Sequence, residues 1–99
     1  MRRRRVLVID DEEQVRRVLV RVLEREGYAV RAAADGVEGM MLQRGEPYDL
    51  VITDLFMPDQ DGIETIQMLA DEFPATPVIA ISGAPEEVGT LVDARLFGA

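Results

Sequence analysis

Residues Val51 to Gly62 read VITDLFMPDQDG. With Leu50 before them, the first three complete a short block, Leu50–Thr53, rich in branched residues, as in a strand covered on both faces. The block runs into an ionisable carboxylate, Asp54. Burying an unpaired charge costs far more than one ordinary contact returns. Asp54 therefore belongs at a solvated strand end, or something holds it.

Working outward, three more apolar blocks share this character: Val6–Ile9, Tyr28–Ala33 and Val78–Ile81. Each is bounded by turn formers. The intervening segments have helical spacing. Val15, Val18, Leu19, Val22 and Leu23 define one apolar face, Arg16, Arg17, Arg21, Glu24 and Arg25 the opposite one, and Gly27 ends the helix. In the second helix Val37, Met40 and Met41 are expected to face inward, with Gly45 and Pro47 ending it. The third carries Ile63, Ile66, Leu69, Ala70 and Phe73 and stops before Pro74. A fourth is expected from Pro85, with Val88, Leu91 and Val92. The order β-α-β-α-β-α-β-α implies an α/β domain of parallel strands, right-handed crossovers and helices on both faces.

In such sheets the functional crevice lies beyond the carboxyl ends of the strands. Asp10 and Asp11 follow the first strand there, Asp54 the third, and Ser82 and Gly83 the fourth. If the first and third strands are neighbours, three carboxylates converge. Two unit charges 4 Å apart repel by about 4 kcal/mol at an effective dielectric near 20, so three bare pairs approach ~10 kcal/mol. That is comparable to the whole stability of a small domain. Protonation, divergence or a divalent cation must relieve it, and the hard, oxygen-seeking cation that works beside phosphates is Mg²⁺. Simpler roles compete singly. Asp11 with Gln14 could form a capping box, Asp10 could be a solvated strand end, and Ser82 a turn hydroxyl. Asp35 and Asp61 look like helix starters.

The totals narrow the field. The chain has 99 residues and a net charge of −8, with all 11 bases arginine. One domain with one modest core is expected. There is no cysteine and no histidine, which removes disulfides, thiolate sites and imidazole chemistry. No apolar run approaches a membrane span. A cytoplasmic protein with no direct nucleic-acid or membrane partner is the default. Residues 1–5 are expected to form a basic N-terminal tail.

VLVIDDEE, the Asp54 segment DLVITDLFMPDQDG and VIAISG together resemble the receiver domains of two-component response regulators. The match runs in order and spacing over residues 5 to about 98. The resemblance implies a flavodoxin-like doubly wound parallel sheet with strand order 2-1-3-4. It implies Asp54 as the residue phosphorylated by a sensor histidine kinase or phosphotransfer protein. Asp11, Asp54 and the backbone carbonyl of Phe56 would ligate Mg²⁺, with Asp10 nearby or acting through water. Ser82 would act as the switch hydroxyl, and the output would be a change in a protein–protein surface whose effector the sequence does not name. Phe56 and Ala84 flank the phosphoryl position in this family. Both are apolar here, so slow hydrolysis is expected.

The family pattern continues into a fifth strand ending in Lys-Pro and a fifth helix, which DARLFGA does not supply. A single receiver domain over residues 1–99 is expected, lacking both elements. A fragment of a longer gene product is the favoured explanation. An exposed fourth-strand edge would then invite a homodimer or strand swap. Two other readings stand beside the switch. A Mg²⁺-dependent phosphohydrolase usually needs a second Asp two residues after the nucleophile, where Phe56 stands. A degenerate receiver would serve only as a binding module.

Overall fold

Alternation along the first strand sorts the core into two layers. In β1 (Arg5–Ile9), Leu7 and Ile9 point to one face of the sheet and Val6 and Val8 to the other. All four are buried. The computed structural model describes residues 3–55, 62–81 and 95–97. The other strands are β2 (Ala29–Ala33), β3 (Leu50–Asp54), β4 (Val78–Ile81) and β5 (Arg95–Phe97). The sheet order is β2-β1-β3-β4-β5. The first four strands are parallel, in the expected order 2-1-3-4.

Helices α2 (Gly36–Gly45) and α3 (Gly62–Glu72) pack on the Leu7 face. Helix α1 (Glu13–Arg25) packs on the Val8 face through Leu19 and Leu23. Its end is set by Gly27, whose φ of 95° suits a residue without Cβ. The Glu26, Gly27 and Tyr28 amides close the last turn on the carbonyls of Leu23 and Glu24.

Several expectations need correction. Val18 and Val22, assigned inward, are 55% and 49% exposed. Helix α1 contacts β1 and β2, and no other helix among the described residues packs on its face of the sheet. Val37 and Met41 of α2 are also exposed. The inner stripe of α2 is instead Gly36, Gly39, Met40 and Gln43. At Gly39 the helix lies so close to β1 that a Cβ would overlap the side chain of Ile9. On α3, Ile63 is exposed and Thr65 takes a core position beside Ile66 and Leu69.

Arg5, assigned to the tail, begins β1. Its guanidinium lies 4.2 Å from the Tyr48 ring centroid, donates to the carbonyls of Glu46 and Pro47 and pairs with the Glu46 carboxylate. Nor is β4 a bare edge. Arg95–Phe97 pairs with it antiparallel, Ile79 opposite Leu96. The row of N–H and C=O groups that was expected to recruit a second chain is met by the chain's own segment. The expected fourth helix, from Pro85, lies outside the described residues.

Candidate functional site

The site is built where β1 and β3, neighbours in the sheet, end together. Asp10 follows Ile9, and its amide donates to the Ala33 carbonyl at 3.1 Å, which extends the β1–β2 pairing by one residue. That bond draws Asp10 into the sheet end, where it is only 5% exposed. Its carboxylate Oδ1 accepts the Glu12 amide at 2.8 Å. Its carbonyl accepts from the Arg16 guanidinium at 2.7 Å. Asp11 is exposed and does not cap α1: the N-cap is Glu12, which makes no side-chain capping bond. The alternative of an Asp11–Gln14 capping box is not formed, because the helix begins two residues beyond Asp11, at Glu13. Asp35 does cap α2, accepting the Glu38 amide at 2.8 Å.

Asp54 is the last residue of β3 and is half-buried. The Leu55 amide donates to the Ile81 carbonyl at 2.9 Å, fixing the chain just beyond it. One carboxylate oxygen from each of Asp10, Asp11 and Asp54 falls within 4.8 Å of the others. The opening question is thereby half answered: Asp54 stands at a partly solvated strand end, in a group of acids.

At that spacing each ionised pair repels by about 3.5 kcal/mol at an effective dielectric near 20. Asp10 carries the consequence. Burial raises its carboxyl pKa from 3.8 to about 6, with Asp54, Asp11 and Glu12 pushing the same way and the Glu12 amide opposing. Such a set of hard oxygen donors, one near-buried and two more open, suits an oxygen-seeking divalent cation. Phe56 and Ser82, the other expected site residues, lie outside the described residues, as do Met57, Pro58, Asp61 and Ala84.

Two participants were not expected from the sequence. Arg16 anchors the Asp10 carbonyl although helical periodicity places it on the solvent face. Gly62 starts α3 directly against the site: its amide donates to the Leu55 carbonyl at 3.1 Å. A Cβ there would land on the Asp54 carbonyl oxygen and the Leu55 backbone. In sequence Asp61 reads as a helix starter before Gly62, which gives no sign of how close Gly62 lies to the Asp54 carbonyl.

A doubly wound parallel sheet with an acidic cluster at the ends of β1 and β3 defines a class: α/β domains whose polar site lies at the carboxyl edge of the sheet. The chain belongs to the response regulator receiver domain family, whose model matches residues 6–99. It is 41% identical over 83 residues to the transcriptional regulatory protein ResD of Bacillus subtilis, covering 84% of this chain and 34% of that one. It is 33% identical over 93 residues to the alkaline phosphatase synthesis transcriptional regulatory protein PhoP of the same organism, covering 94% and 39%. The chain thus spans well under half the length of these curated relatives. Among solved structures, a CheY-like receiver domain protein from Methanospirillum hungatei superposes with a TM-score of 0.81 at 28% identity, covering 91% of this chain and 73% of that one. The response regulator TrrA of Thermotoga maritima, in complex with Mg²⁺-BeF, gives 0.79 at 30% identity, covering 87% and 75%. Among the described residues no helix is long and apolar enough to cross a membrane.

Proposed function

We propose that the chain is a phosphorylation switch in which Asp54 accepts a phosphoryl group from a sensor histidine kinase or phosphotransfer protein. The convergence of Asp10, Asp11 and Asp54 carries this reading. A carboxylate oxygen of Asp54 attacks phosphorus as the bond to the donor's imidazole nitrogen breaks. The product is an acyl phosphate on Asp54 and a free imidazole on the donor. Magnesium, when bound by Asp10, Asp11, Asp54 and the Phe56 carbonyl, supplies positive charge that offsets the incoming phosphoryl oxygens.

The chain's own residues do the rest. The Leu55–Ile81 bond and the Gly62 contact hold Asp54 at a defined depth. Arg16 and the Glu12 amide hold Asp10, keeping its carboxylate facing the pocket. Ser82 follows β4 directly and is the hydroxyl that would bond a phosphoryl oxygen and draw its loop inward. The consequence is a changed protein-contact surface in a cytoplasmic signalling protein, not turnover of a metabolite.

Incubation with acetyl phosphate and Mg²⁺, followed by intact-mass measurement, tests this. A gain of about 80 Da, the mass of one phosphoryl group, is expected, with no gain in Asp54→Asn. Turnover of a phosphoester with no adduct would mark a hydrolase. Neither adduct nor turnover would leave a binding module.

A further inference from the structure

Charge is distributed unevenly along this acidic chain. Residues 1–31 hold nine arginines against six acids, a net +3, and residues 32–99 hold two against 13, a net −11. The fold turns that asymmetry into a surface feature. Strand β2 is the outermost strand on its side of the sheet, so the groove between α1 and β2 opens at the rim of the molecule. It is a trough of about 640 Å³ walled by Arg16, Arg17, Arg21 and Arg25, with Val20 and Ala32 also lining it.

Glu13 and Glu24 also line the trough and leave it with a net +2. Arg16 is committed to the Asp10 carbonyl. Arg17 makes an exposed 3.3 Å pair with Glu13, an interaction worth only a few tenths of a kcal/mol. Among the described residues no acid lies within ion-pair distance of Arg21 or Arg25. The trough lies apart from the Asp54 pocket; Arg16, which holds the Asp10 carbonyl, is the one lining residue that the phosphorylation site also uses.

We infer that the α1–β2 trough docks a short acidic, partly apolar polypeptide segment of a partner protein. Guanidinium groups bind carboxylates in a planar, two-pronged geometry. Val20 and Ala32 offer apolar contact between the charged walls. The overall charge of −8 argues against a long polyanion. Nucleic acid or an anionic membrane would extend past the trough onto the acidic remainder of the molecule. A short segment senses mainly the local field, because salt screens charges beyond about 8 Å at physiological ionic strength.

The test uses the 99-residue chain, isotope-labelled, titrated with a short peptide of glutamate and leucine while amide NMR shifts are followed. A lysine–leucine peptide and a short DNA duplex serve as comparisons. The acidic peptide is expected to move amides of α1 and β2 selectively, with an effect that shrinks at high salt. The double variant Arg21→Glu/Arg25→Glu should bind roughly tenfold or more weakly, since each 1.4 kcal/mol of lost attraction is a factor of ten. Both arginines are exposed, so an unchanged dispersed spectrum confirms that the variant is folded. Absence of shifts at millimolar peptide, equal binding by the variant, or tighter binding of the duplex would each overturn the inference.

Discussion

Asp10 is where the electrostatics of the site are most concentrated. Its pKa is raised, so the folded state holds a proton that the unfolded chain releases near pH 4. Stability therefore falls as pH rises from about 4 through about 6. A shift of that size corresponds to roughly 3 kcal/mol at neutral pH. Asp10→Asn keeps an oxygen for the Glu12 amide and removes the charge. Urea unfolding should show the variant more stable than the parent by up to ~3 kcal/mol at about pH 7, with the gap closing near pH 4. A gap that does not change with pH would refute the assignment. Gly62 makes a second residue-scale claim. Gly62→Ala forces a methyl against the Asp54 carbonyl, so it should cost about 1–3 kcal/mol and lower phosphoryl incorporation at Asp54. Gly45→Ala, where a Cβ meets nothing within 4 Å, is the matched control and should be neutral or stabilising by up to about 1 kcal/mol. On the proposed reading the apolar Phe56 and Ala84 flank the phosphoryl group and offer no group to orient a water, so phosphoryl loss from purified protein with Mg²⁺ should be slow; decay within seconds would contradict that.

At the scale of elements, Arg5 ties the start of β1 to the segment leading into β3. Arg5→Ala loses the Tyr48 stack and three polar contacts to Glu46 and Pro47. A loss of about 1–2 kcal/mol in chemical unfolding is expected, little of it recovered by Arg5→Lys, which lacks the planar fork. Such tertiary roles also mark where sequence reading runs out. The first four strands and the C-terminal end of α1 were legible because branched apolar runs and a glycine stop are local signals. The inner face of α2 was not, since Gly36 and Gly39 face the sheet by being small and contribute nothing to hydrophobic periodicity. Gln43, wholly buried with its Oε1 accepting the Tyr48 amide at 2.9 Å, reads as a surface residue in sequence. The short β5 was missed because three residues give no alternation to detect. The Asp10–Asp11–Asp54 grouping was legible once the family resemblance supplied the strand order 2-1-3-4, which makes the first and third strands neighbours and brings their ends together.

At the scale of the molecule, the two faces of the sheet are unequally covered, by α2 and α3 on one side and α1 on the other. The acidic pocket sits at the carboxyl edge between these layers, with the trough along α1 and β2 extending away from it. The charges of the pocket oppose folding until something neutralises them, so a divalent cation should stabilise the whole domain by binding the native state alone. Thermal melting with and without Mg²⁺, near neutral pH, is the most direct test. The parent protein should melt at a higher temperature with the ion, whereas the Asp10→Asn/Asp11→Asn/Asp54→Asn variant should melt higher to begin with and be indifferent to it. If magnesium fails to move the parent's melting temperature, or moves that of the variant equally, the three carboxylates do not share a cation site.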